Sequence, residues 1–385
     1  MSRIEKEWKL MMRKKQTGFT LMETMVSLVV LLAVSAIVMS GMMQMMKTEG
    51  TITNRTEMHT SVRGATELLQ QEIGQAGKIS LPPPLAPGGW QLLSNVNATA
   101  TPDAPITLLA ATFTQFMPLY EGEWVTVDTG LPRETVQLQC AAGPGLCPGT
   151  SNIWKATFTW PHVAPVPASV QGSFSTGIVP PAMPALPGAL RNPPLGYTGY
   201  PMFPAGYPFA NAPAQGSTGN VLKLYGDLNG DGTMVYVEYT CAPGTAAAPG
   251  FLYRNQVAWT AVAMPPNDPS MIVLTGVLTN PNDTNGNPVP CFTYQLQTTD
   301  GADSAAEDYA FVTDVAVTLT VQTQNPDPQT PLINGQPNYQ RETKALLNVS
   351  PRDVYEAFQS STLVYTNRIQ PMPLNLKGQL LPNNP

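Results

Sequence analysis

The sequence predicts an α+β protein: one long amino-terminal helix on a mainly antiparallel β body with long proline-rich loops. Three observations carry that expectation. Residues 24–46 hold no charge and no proline. Residues 58–76 carry apolar side chains at helical spacing. Beyond residue 100 the chain breaks into short alternating or β-branched runs between Gly/Pro-rich turns.

The chain begins with a basic head. Arg3, Lys6, Lys9, Arg13, Lys14 and Lys15 face only Glu5 and Glu7, so residues 1–18 carry +4 of a total net charge of -6. Ten of the 18 methionines lie in the first 46 residues. The 23 residues 24–46 make a helix about 35 Å long, enough to cross a ~30 Å hydrocarbon core. Basic residues before the span leave residues 1–18 cytoplasmic and send the body outward. A cleaved secretory signal has an apolar core of only about 7–15 residues, and this stretch is longer. A plain signal anchor leaves Glu23, at the start of the apolar run, without a reason. A carboxylate there costs about 2.5–3.5 kcal/mol on insertion scales.

The helix continues past the apolar span. Met58, Val62, Ala65, Leu69, Ile73 and Ala76 recur every three or four residues, while Glu67, Gln70, Gln71 and Gln75 cover the other side. Gly77 is the expected stop, and Pro82–Pro84 forbid continuation. From Phe19 to Gly77 the helix spans about 90 Å at ideal rise. The expected divisions are 1–18, a basic cytoplasmic head; 19–46, a membrane-spanning helix; 47–79, its amphipathic continuation; and 80–385, an exported β-rich body closing on a strand pair.

Within the body, strands are expected at 106–113, 124–128, 135–139, 153–160, 221–225, 233–240, 257–262, 271–278, 292–297, 311–324 and 342–349. In the longest run, Val315, Val317, Leu319 and Val321 alternate with Asp314, Ala316, Thr318 and Thr320, with Val312 and Thr313 out of phase. Residues 80–105 and 161–213 read as loops. The second holds 13 prolines in 53 residues, which argues against a central strand.

Cys140, Cys147, Cys241 and Cys291 all lie in the body. An even count outside the cytoplasm suggests disulfides. The turn-rich loop between Cys140 and Cys147 favours that pairing, leaving Cys241 with Cys291. Asp227-Leu-Asn229-Gly-Asp231-Gly232-Thr233, with Glu238 at the twelfth position, matches a calcium-loop pattern of oxygen donors. The expected ligands are Asp227, Asn229, Asp231, the Thr233 carbonyl and Glu238. The flanks are strands, so no EF-hand is inferred. A solvated Asp/Asn/Gly hairpin turn fits the same residues, and the two readings stay open here. No other cofactor is expected.

Function classes narrow by composition. Charged residues are 12% of the chain and the pI is about 5.0, against strongly basic nucleic-acid binding. Two histidines, His59 and His162, and no G-x-S-x-G, P-loop or H-E-x-x-H motif speak against an enzyme.

Lys14-Lys15-Gln16-Thr17-Gly18-Phe19-Thr20-Leu21-Met22-Glu23 resembles the class III signal of type IV prepilins and pseudopilins. The resemblance implies cleavage after Gly18 by a prepilin peptidase and methylation of the new amino terminus, Phe19. It also implies a role for Glu23 in assembly, paired with a neighbouring subunit's amino terminus. Residues 65–77, with the closing strands and Asn348–Asp353, are similar to PilW-type minor pilins and to pseudopilin J of type II secretion. The family implies a structural subunit that starts or caps a filament. Its partners are the peptidase, other major and minor pilins and an inner-membrane assembly platform. Its place is the inner membrane before assembly, then the pilus or pseudopilus. A type II secretion pseudopilin and an adhesive tip subunit are the alternatives.

Overall fold

The computed structural model describes residues 19–79, 90–96, 109–112, 122–128, 132–140, 153–170, 175–181, 216–231, 233–258, 261, 264–299, 309–333, 335–363 and 369–370. One helix, α1, runs from Leu21 to Gln75. The strands are β1 (Trp90–Leu92), β2 (Leu109–Thr112), β3 (Trp124–Val127), β4 (Glu134–Gln137), β5 (Gln139–Cys140), β6 (Ile153–Ala156), β7 (Val166–Val170), β8 (Val221–Gly226), β9 (Val235–Ala242), β10 (Gly250–Ala258), β11 (Ile272–Leu278), β12 (Phe292–Thr299), β13 (Tyr309–Gln322), β14 (Leu332–Ile333), β15 (Gln336–Pro337) and β16 (Arg341–Val349). A short second helix, α2, spans Arg352–Thr362. The α+β class is as the sequence predicts.

The chain divides into two compact units: residues 1–57 with 325–339, and residues 58–324 with 340–385. In the first, every large apolar residue named from Phe19 to Met46 is at least half exposed. The helix there is long and apolar enough to cross a membrane. The hairpin β14–β15 belongs to this unit.

In the second unit the amphipathic stripe is the helix's contribution to the core. Met58, Val62, Ala65, Leu69, Ile73 and Ala76 are all buried, against Leu222 and Leu224 of β8, Val235, Val237 and Tyr239 of β9, Leu252 of β10, and Val315–Val321 of β13. Gly77 ends the helix with φ +89°, where a Cβ would lie 2.8 Å from the Ser175 carbonyl oxygen, so only glycine fits without strain. Its N–H donates to the Tyr225 carbonyl and its carbonyl accepts from Ser175 N–H.

The large sheet has seven strands, ordered β12-β13-β11-β10-β9-β8, with β16 also on β13; every pairing is antiparallel. The register of β12 on β13 shifts between Gln295 and Leu296, opposite Asp314 and Val312, which leaves Thr313 as the extra residue of a bulge. That bulge is why the alternation slips there. Val312 joins the face of Val315, Val317, Leu319 and Val321, while Phe311 turns to Val354, Ala357 and Ile369. Two smaller sheets, β1-β7-β3-β4 and β2-β6-β5, complete the unit among the described residues, around Leu92, Val125, Val127, Val136, Trp154 and Phe158.

Three expectations are corrected. The strand expected at 257–262 lies instead at Gly250–Ala258, where Leu252 and Asn255 are buried. The proline-rich stretch contains β7, and β7 is central in its sheet, between β1 and β3. Its Pro167 is tolerated because it lies opposite Asp128, one residue beyond the end of β3, and needs only to accept, from Asp128 N–H at 2.7 Å. The loop expected over 80–105 likewise includes β1.

Candidate functional site

The amino-terminal site is built on a helix N-cap. Thr20 precedes α1, and its hydroxyl accepts from Glu23 N–H at 3.3 Å, while its carbonyl accepts from Glu23 and Thr24 N–H at 3.0 and 3.1 Å. Glu23 is thereby fixed as the third helical residue, where the positive end of the helix dipole favours a carboxylate. Phe19, 76% exposed, stands directly before this cap. Ser27 and Thr24 fold their hydroxyls back onto helix carbonyls, Ser27 onto Glu23 O at 2.6 Å, so no free donor from them interrupts the apolar surface. Gly18 lies outside the described residues. Sequence reasoning took these residues only as part of a processing signal and missed the cap, for which a Thr three residues before a Glu at the head of an apolar run was the available signal.

The Asp227 loop closes on itself. Asp227 is buried and pairs with Lys78 Nζ at 3.2 Å, and its other oxygen accepts from Asp231 N–H at 3.1 Å. Asp231 accepts from Thr233 N–H at 2.8 Å. Asn229 and Asp231 are exposed. Glu238, well into β9, is turned to another pair of partners: Tyr236 donates to it at 2.6 Å and Lys223 lies at 3.7 Å. Burial holds the Lys223 ammonium below the usual lysine range, against the opposing pull of Glu238. Among the described residues no group of three or more His, Cys, Asp or Glu side chains is arranged to hold a metal ion. The structure thus gathers Asp227 and Asp231 in one turn and separates Glu238 from them.

Cys241 and Cys291 form a disulfide between β9 and the start of β12, both buried. Cys147 lies outside the described residues, and the 140–147 pairing with it.

Sequence reasoning missed a buried ionic cluster. Glu72, on the packed face of α1, receives two hydrogen bonds from Arg254 Nε at 2.9 and 3.1 Å, another from the same guanidinium's terminal nitrogen, and one from the Tyr239 hydroxyl at 2.5 Å. Burial, reinforced by the Glu72 carboxylate, pushes the Tyr239 phenol far above the ordinary tyrosine range. The signal available was Glu72 itself, an acid between Leu69 and Ile73 on an otherwise apolar stripe. A second cluster missed by the sequence joins buried His162 Nε2 to Glu134 at 2.8 Å. These clusters anchor elements to one another.

Residues 13–39 match the family model described as the prokaryotic N-terminal methylation motif. No curated protein and no solved structure matches the chain. The motif is of the type IV prepilin kind and indicates a pilin-like or pseudopilin protein, a structural rather than an enzymatic family.

Proposed function

We propose that the chain is a minor pilin of a type IV pilus, of the PilW type, processed by prepilin peptidase after Gly18, methylated at Phe19, and incorporated at filament initiation or at the tip. It acts as a structural subunit, not an enzyme. The observation that carries the reading is the Thr20-capped start of α1, which sets Phe19 and Glu23 at the head of a bare apolar helix.

The mechanism follows from charge and solvent. Cleavage at Gly18 removes a +4 leader and leaves an α-amino cation at Phe19. A carboxylate and an amine are each expensive in lipid, and together they cost less. One subunit's Glu23 beside a neighbour's amino terminus favours lateral assembly over a lone subunit. The exposed flank of α1 from Leu21 to Met46 then buries against like helices.

A type II secretion pseudopilin would carry the same motif and the same chemistry. The two are separated by which filament the tagged chain co-purifies with. The experiment for the common reading is Gly18→Val. It should leave a precursor heavier by the 18-residue leader on immunoblot, and mature-sized protein from that variant would overturn the processing site.

A further inference from the structure

The hairpin at 325–339 is laid along the helix immediately beyond the apolar span. Asn54 Nδ2 donates to the Pro326 carbonyl at 3.5 Å, Thr51 Oγ1 donates to Asp327 at 2.7 Å, and Gln329 Nε2 donates to Thr48 Oγ1 at 3.2 Å. As the hairpin chain runs from 326 to 329, its helix partners run from 54 back to 48. It therefore descends about 9 Å along the axis toward the apolar segment. Gly50 permits the approach, since a Cβ there would lie 3.0 Å from Pro328 Cγ.

The hairpin is built without net charge beyond its pin. Asp327 is the one charged residue in 325–339. Its carboxylate accepts from Thr51, Gln329 N–H and Thr330. Asn338 ties the second leg to Thr330 through two bonds of 3.0 Å. At the far end Leu332 and Ile333 are 62% and 55% exposed. An exposed aliphatic pair rimmed by uncharged Pro, Gln and Asn can enter the headgroup layer without carrying a charge into it. Its pins at Thr48, Thr51 and Asn54 lie about 3–12 Å along the axis from Met46, the last residue of the apolar run. The headgroup zone adds about 5–7 Å beyond the hydrocarbon on each side.

We infer that this hairpin is a membrane-surface contact, seating Leu332 and Ile333 in the outward-facing phospholipid interface while the subunit stands alone in the bilayer. The inference rests on the reading that residues 24–46 lie in a membrane.

The test uses the full chain in phosphatidylethanolamine/phosphatidylglycerol vesicles. One added cysteine, Ile333→Cys or in parallel Met39→Cys, carries an environment-sensitive fluorophore, with the unsubstituted chain as the labelling blank. The lipids carry nitroxide either at the headgroup or deep in the acyl chain. The expected result is that the 333 label is quenched at least twofold more by headgroup nitroxide than by deep nitroxide. The 39 label should show the reverse order. Asp327→Ala, which removes the pin, should reduce the headgroup quenching at 333. Leu332→Cys is the second reporter should Ile333→Cys disturb the hairpin. Quenching at 39 with free access of aqueous iodide at 333 overturns the inference alone. Protection at 333 that arises only when other subunits assemble also overturns it, in favour of a subunit contact. Absence of quenching at both positions overturns the membrane reading and the inference with it.

Discussion

Glu72 of α1 and Arg254 of β10 meet in a forked ion pair across the core of the second unit, with the Tyr239 hydroxyl closing the same carboxylate. The pair ties the amphipathic half of the helix to the middle of the large sheet. Apolar stripes hold a helix to a sheet but leave its rotation loosely set. A buried carboxylate with one matching guanidinium specifies a single register, because any other leaves a charge buried alone.

Removing one partner should therefore be costly. Glu72→Ala leaves the Tyr239 hydroxyl without its acceptor and the half-buried Arg254 guanidinium with Gln256 Oε1 but no counter-charge, and should destabilise the fold by about 1–3 kcal/mol. The triple replacement Glu72→Leu, Arg254→Met, Tyr239→Phe should recover most of that loss, since a buried ion pair exchanged for apolar groups is often neutral. Denaturant midpoints of the full chain in detergent compare the two; a triple variant as weak as Glu72→Ala would contradict this account.

The disulfide Cys241–Cys291 closes a sequence separation of 50 residues. Chain-entropy arguments give about 4 kcal/mol for a loop of that length. Cys241→Ser with Cys291→Ser should lower the unfolding free energy by about 2–5 kcal/mol, and reductant should bring the native chain toward the variant. Superposable denaturation curves for native and variant chains would show that the cross-link contributes nothing.

Lys223 gives a pH signature. Its folded pKa lies below the unfolded value of about 10.4 because burial disfavours the ammonium, with Glu238 opposing. Between those two values the unfolded chain binds more protons, so this residue's contribution to stability rises with pH through the window. Lys223→Met should remove that rise. The stability difference between native chain and variant, followed from pH 7 to 10, isolates it from tyrosines such as Tyr239, whose raised folded pKa acts in the opposite direction at higher pH.

The residues that could be read from sequence are those whose role is periodic. Met58 to Ala76 declare a helix face by spacing alone, and Val315 to Val321 declare a strand face by alternation. What escaped is non-local or overridden. Glu72 and Arg254 are 182 residues apart, and nothing in either neighbourhood names the other. Pro167 hid β7 because its missing donor falls just past the end of the ladder rather than within it. The helix α2 begins after Pro351 with only Val354, Ala357 and Ser361 buried, too short a stripe to stand out.

The Asp227 loop puts the two readings of its sequence to one measurement. Calcium would take the Asp227 carboxylate only by displacing Lys78, and Glu238 is already engaged by Tyr236 and Lys223. The turn reading needs nothing more: Asp227 and Asp231 each accept from a backbone N–H within the loop. The expected outcome on this geometry is an equal melting temperature in calcium and in chelator. Asp227→Ala should cost about 1–3 kcal/mol in both, because it strips a buried acceptor from Asp231 N–H and a counter-charge from Lys78. Asp231→Ala, exposed, should cost less than Asp227→Ala. The calcium reading makes a different set of numbers. Ion at about 100 times its Kd would add about 2.7 kcal/mol, and Asp231→Ala would abolish that increment while leaving the chelated melting point nearly in place. Calorimetry on the native chain and Asp231→Ala, each with calcium and with chelator, separates the two: a calcium-dependent rise in the native chain alone assigns Asp227, Asn229 and Asp231 to a metal, and four melts without calcium dependence assign them to the turn.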